Sequence, residues 1–239
     1  MLSSGQKLSV RRVAAAVAAA IAVSGLVNCA AFPSGMRDGT LGNPLVSNAK
    51  TRGFTARGAI LAAAAGTYID QLLVDRDSTI ERWSNRVSKP LRVWIDSSET
   101  VSGAQAGYPA AVRAAFQDWA ATGIPIKVSY VESPGAADIR VRWIDRLNRK
   151  TGSTTWRTDH GGWMLSGDIT LATHISDGQT LDNRGMRAIA LHETGHALGL
   201  SHSLDPADVM SALVHVDSLS ATDRNTIKLV YSLSAGPVQ

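Results

Sequence analysis

Apolar residues recur along this chain at two periods, and the places where the period changes mark its elements. Leu91-Arg92-Val93-Trp94-Ile95 alternates, which predicts a strand turning Leu91, Val93 and Ile95 inward. Pro109 follows at a position the first turn of a helix tolerates, and Val112, Ala115, Phe116 and Trp119 form one stripe over Ala110 to Ala121 before Gly123 ends it. Alternation returns at Ile126 to Val131 and at Ile139 to Ile144, the latter with Ile139, Val141 and Trp143 inward and Arg140 and Arg142 outward. Upstream, Leu61, Ala65, Leu72, Leu73, Ile80, Trp83 and Val87 suit one or two amphipathic helices between Ala59 and about Val87, with Gly66 as a break. Downstream, Asp145 to Arg184 is polar and glycine-rich and offers one strand, about Asp168 to Thr173. A helix is expected from about Arg184 to Leu198, with Ala188, Ile189, Leu191 and Leu198 on its buried side. Ser220-Ala221-Thr222-Asp223 is a capping-box pattern that opens a last helix carrying Ile227, Val230 and Tyr231. Strand, helix, strand, strand, then helices: this order predicts an α+β domain, a twisted sheet with a helix packed over it.

The N-terminal third reads differently. Lys7, Arg11 and Arg12 precede an apolar run from Val13 to Val27, too short for a comfortable membrane span and suited to the core of an export signal over residues 1–31. Two endings compete. Leu26-Val27-Asn28-Cys29 resembles the lipobox of bacterial lipoproteins, in which the cysteine would be lipidated, although Asn28 is not the usual small residue; cleavage after Ala31 is the other, and a retained anchor is a third outcome. Cys29 is the only cysteine, so no intrachain disulfide is available and the core must stand unstapled. From Phe32 to about Thr55 the chain is rich in Gly, Ser, Asn and Pro without periodicity, and residues 32–87 together read as a linker and helical extension ahead of a domain over 88–234. That extension either packs on the domain or is a removable prosegment.

The net charge of +4 suggests an acidic partner until its location is considered. Residues 1–90 hold 11 Lys and Arg against 5 acids, whereas 91–239 hold 13 against 15, so the domain is close to neutral and no nucleic-acid partner is expected.

The chemistry concentrates in His192-Glu193-Thr194-Gly195-His196-Ala197-Leu198-Gly199-Leu200-Ser201-His202. Residues four apart share a helix face, so His192 and His196 can bind one ion. Neutral imidazole is a good zinc ligand, and three protein ligands leave a fourth position for water. Gly199 lets the chain leave the helix through a left-handed residue and bring His202 back as the third ligand. Glu193, beside the first ligand, is placed to take a proton from water and return it to a leaving amine.

This run matches H-E-x-x-H-x-x-G-x-x-H and so resembles the zinc-binding signature of the metzincin peptidases. Met210, eight residues beyond His202, stands where that clan has its Met-turn, and Ser211-Ala212 follows without the tyrosine of astacins and serralysins, which leans toward matrixins. The resemblance spans roughly residues 88–233. It implies a zincin-like metzincin fold, one catalytic zinc on His192, His196 and His202, Glu193 as catalytic base, Met210 as a floor that does not bind metal, and zinc-dependent hydrolysis of peptide bonds in a protein or peptide. It further implies that residues near Gly162 to Ala172 form the sheet edge along which substrate lies, and that Leu213 to Leu219, including His215, wall the pocket after the cut bond. The Pro-Arg-Cys-Gly latency segment of many matrixins is absent, and Cys29 does not replace it. Asp159, His160, Asp168, His174, Asp177 and Asp182 would hold calcium or a structural zinc on the family pattern; ordinary turn chemistry is the favoured reading, since no regular calcium loop or four-ligand zinc set can be assembled from them. The expected protein is an exported monomer, secreted or anchored to the membrane by lipid at Cys29. A non-catalytic zinc-containing surface module and a zinc amidase acting on cell-wall peptides are the alternative functions.

Overall fold

The computed structural model describes residues 57–98, 100–148 and 150–238. The export signal, Cys29 and the polar stretch to Thr55 lie outside the described residues. The chain is helical at 57–62 and then forms α1 (Ile69–Asp75), β1 (Thr79–Ile80), β2 (Arg86–Ile95), α2 (Tyr108–Ala120), β3 (Ile126–Tyr130), β4 (Ile139–Ile144), β5 (Gly152–Thr158), β6 (Met164–Ala172), α3 (Asn183–Ala197), α4 (Ala221–Ser232) and β7 (Gly236–Pro237). Five strands make one sheet in the order β3-β2-β4-β6-β5, in which β2 runs parallel to β3 and β4, β4 parallel to β6, and β5 antiparallel to β6. The helices α2 and α3 pack on each other, α2 close to β3 and α3 close to β5 and β6. This is the α+β arrangement expected.

Two regions differ from the sequence reading. The helical expectation over 59–87 is cut short because Asp77 and Ser78 both take positive φ (47° and 55°), which stops any helix. The chain then pairs β1 with β7, some 157 residues on, in an antiparallel register of Thr79 with Pro237 and Ile80 with Gly236. Pairing at that range leaves no local period to read. Residues on either side of this turn lie in the main core: Ile69, Leu72, Ile80 and Trp83 are fully buried there with Leu91, Trp119 and Ile227.

The second difference is a correction. The expected single strand is longer, beginning at Met164, and a strand absent from the reading, β5, lies beside it. Because β6 pairs with β4 on one side and β5 on the other, residues 162–172 do not form a free edge; β5 does. Its sequence, Gly-Ser-Thr-Thr-Trp-Arg-Thr, carries no apolar alternation. An edge strand bonded along one side only can form from β-branched threonines without the stripe a central strand needs.

The turn of chain under the motif is fixed by buried polar groups. The capping box at α4 is present: Ser220 Oγ accepts from Asp223 N at 2.8 Å, and the Asp223 carboxylate accepts from Ser220 N at 2.9 Å. The same carboxylate accepts from Val209 N at 2.9 Å and from Tyr68 Oη at 3.2 Å. One buried aspartate thereby joins the N-terminus of α1, the Met210 turn and α4.

Candidate metal centre

Asp182 caps α3 by accepting from Gly185 N at 2.7 Å, and the apolar Met186, Ile189 and Leu191 bury one side of the helix. The stripe sets its rotation, so that His192 and His196 emerge together. The helix ends at Ala197, and Gly199 at φ 109° reverses the chain, with Leu200 N donating to Gly195 O at 3.0 Å. A second constraint acts at Gly199: any Cβ there would strike the Glu81 carbonyl oxygen.

The reversal brings the third histidine back. His196 Nε2 lies 3.1 Å from His192 Nε2 and 3.3 Å from His202 Nε2, and the three ligand atoms fall within 4.8 Å of one another. His192 Nδ1–H donates to Val209 O at 2.8 Å and His196 Nδ1–H to Leu200 O at 2.9 Å. A carbonyl can only accept, so both Nδ1 atoms carry protons and both Nε2 atoms present lone pairs. Burial, then the charge of His202, pushes His192 down to about 4; burial and its two histidine neighbours hold His196 well below the ordinary range, and His202, although its outer side meets solvent, is lowered by desolvation of the side facing the cluster. The His192 and His196 lone pairs thus face one point, with the His202 ring nitrogen beside them, and a cation placed there would meet all three. Tetrahedral zinc with bonds of 2.0–2.1 Å needs nitrogens about 3.3 Å apart, so the donor set fits it. Among the described residues no other group of three or more His, Cys, Asp or Glu comes together in this way.

Glu193 is buried next to this centre, and its Oε2 accepts from Thr154 Oγ1 at 2.6 Å. Burial pushes its carboxyl up to about 7, with the Thr154 hydrogen bond and the charge of Lys150 pulling the other way. Thr154 belongs to β5, and so does Gly152, where a Cβ would overlap the Glu193 carboxylate. Sequence reasoning missed both residues. The only available signal was a β-branched run, Thr154-Thr155, behind a glycine, in a stretch with no other mark of a strand. Gly152→Ala is expected to keep zinc and the fold while lowering kcat by about 10- to 100-fold, since the added carbon must displace the carboxylate by a sizeable part of an ångström. Zinc content and kcat on one preparation test this, and an unchanged kcat would remove the constraint.

Met210 is fully buried under α3. Gly195, between His192 and His196, is what admits it: a Cβ there would meet Met210 Sδ and come within 3.0 Å of Trp119. His215 is exposed and, among the described residues, joins no group of possible metal ligands. The acidic residues between 159 and 182 are separately employed. Asp159 accepts from Gly161 N and Trp163 N, Asp168 binds Arg140 in a fork at 2.7 Å twice, Asp177 accepts from Gln179 N, and Asp182 caps α3. His174 sits 2.6 Å from Asp145.

The family model described as matrixin matches residues 82–232, well over half of the chain, including His192, Glu193, His196 and His202. The chain belongs to the matrixin family. Zinc, which the histidine triad fits, is the metal of matrixin centres. Among curated proteins the chain is similar to the interstitial collagenase of Equus caballus, 30% identical over 146 residues that cover 54% of this chain and 29% of that one. It is also similar to matrix metalloproteinase-19 of Homo sapiens, 37% identical over 102 residues covering 39% of this chain and 19% of the relative, and to the human neutrophil collagenase, 29% identical over 140 residues covering 54% and 30%. The chain thus spans less than a third of the length of the matrixin relatives it matches.

Proposed function

We propose that this chain is an exported zinc-dependent endopeptidase in which His192, His196 and His202 hold one zinc ion and Glu193 moves the proton. The observation that carries the reading is the convergence of three histidine Nε2 atoms beside a buried carboxylate that is itself held by the edge strand. When bound, zinc would supply Lewis acidity, making water a stronger acid and polarising the scissile carbonyl. Glu193 then accepts the proton of the attacking water at a carboxylate oxygen and passes it to the leaving nitrogen. Thr154 holds the other side of that carboxylate through Oγ1, so the proton acceptor keeps one orientation. The His192 and His196 Nδ1–H bonds to Val209 O and Leu200 O fix the ligand rings. The unpaired side of β5 offers backbone donors and acceptors to an extended peptide, which gives a protein or peptide substrate a place to lie as one more strand.

Lys7, Arg11, Arg12 and the apolar run behind them support export. In this reading the protein acts as a monomer outside the cell membrane, free or held by lipid at Cys29.

Incubation of the purified protein with casein, followed by mass-spectrometric mapping of new termini, tests the activity. Internal cleavages that disappear on chelation and return with one equivalent of zinc are expected. Cleavage that survives complete removal of metal would sink the zinc mechanism. A protein that holds one zinc per chain and cuts no polypeptide would turn the centre into a binding module.

A further inference from the structure

We propose that Arg76 is a positioning residue of the metal centre: its guanidinium clamps the Leu200-Ser201 segment that orients His196 and delivers His202. The inference rests on the zinc reading above. Arg76 follows directly on the last residue of α1, and its side chain is only 11% exposed. Its three nitrogens each have an acceptor: Nε donates to Ser201 Oγ at 3.0 Å, Nη2 to Leu200 O at 3.2 Å, and Nη1 pairs with the Glu81 carboxylate. The flat group lies over the Trp156 ring with 4.1 Å to its centroid, and Trp156 Nε1 donates to Glu81 Oε2 at 2.9 Å. One cation thus joins α1, the chain before β2, the edge strand β5 and the loop after Gly199.

The loop needs such a clamp. Between Leu200 N, bonded to Gly195 O, and Ser203 N, bonded to Met210 O at 2.8 Å, it belongs to no helix or strand. Leu200 O accepts from His196 Nδ1 as well as from Arg76 Nη2, so the group that sets one ligand ring is held in place by the guanidinium. Ser201, the other anchor, is covalently next to His202. A metal ion binds tightly to ligands that are already in place, and partners behind the ligands typically govern about 10- to 100-fold of its affinity. Only a planar fork with several fixed donors serves two acceptors and a carboxylate at once; a lysine ammonium on its flexible stem does not. Arg76 and Glu81 precede the matrixin match, which begins at Arg82, so this part of the centre comes from chain outside the matched region. On this reading the segment from Tyr68 to Trp83 stays with the catalytic domain in the active protein.

Zinc dissociation constants, measured by competition with a chromogenic chelator on full-length wild type, Arg76→Lys, Arg76→Met and Ser201→Ala, test the clamp. Thermal unfolding of the metal-free proteins runs beside them. Arg76→Lys keeps a charge beside Glu81 and Ser201→Ala removes one anchor, so both are expected to match the metal-free midpoint of wild type while binding zinc about 10-fold more weakly; Arg76→Met is expected to lose up to about 100-fold. If Arg76→Met fails to fold, the other two variants decide. Wild type binding zinc tightly with all folded variants within twofold of it would overturn the clamp alone. Wild type that binds no zinc would overturn the metal reading and the clamp with it.

Discussion

Glu193→Gln is expected to retain one zinc per chain and to lose catalysis by roughly 10³-fold or more, the range general acid–base groups supply. The two side chains have nearly the same shape, and glutamine Oε1 can still accept from Thr154 Oγ1, so the geometry at 2.6 Å has a direct substitute. What disappears is the capacity to hold a proton between its removal from water and its delivery to nitrogen. Stability is not expected to fall, because the exchange removes a carboxyl group whose ionised form is penalised by burial. Single-turnover cleavage of a peptide, with zinc quantified on the same sample, makes the comparison. A variant within tenfold of wild type would take Glu193 out of the role.

His202→Ala should lose zinc and activity together while leaving the metal-free protein intact. His202 differs from the other two histidines in having no backbone partner among the described residues: its outer side is exposed, and its one hydrogen-bond-distance neighbour there is His196 Nε2. Its removal orphans no buried group, and a change of metal-free stability within about 0.5 kcal/mol is expected, as for an ordinary surface substitution. Loss of one of three ligands should weaken zinc by more than the ~10- to 100-fold of a change behind the ligands. Chelator competition and a metal-free melting curve give both quantities. Tight zinc binding by the variant would require a different third ligand. The contrast with His192→Ala is informative, since that change also leaves Val209 O without its donor inside the core.

These two residues lie in the part of the chain that could be read directly. The His192–His196 pairing needs only the rise of a helix, and the return of His202 needs only Gly199 in a left-handed conformation, so the proposed ligand set is encoded within eleven consecutive residues. The same holds for the alternating strands at Leu91–Ile95 and Ile139–Ile144 and for the capping box at Ser220, each of which depends on neighbours along the chain. Their periods are strong because their faces are buried.

The surroundings of the centre were not legible in this way. Thr154 and Gly152 touch Glu193 from 39 and 41 positions away, in a strand with no apolar stripe, and the free edge therefore stands at β5 where sequence order had suggested 162–172. The pairing of β1 with β7 and the reach of Arg76 to Ser201, 125 positions on, leave no trace in any local window. The sequence by itself determined which atoms can hold a metal and which carboxylate stands next to them, because short-range backbone geometry controls both. Only the tertiary structure decided how that carboxylate is buried and oriented, which edge is open to a peptide, and what holds the ligand loop, because those depend on hydrogen bonds and packing between segments that meet only when the chain has folded.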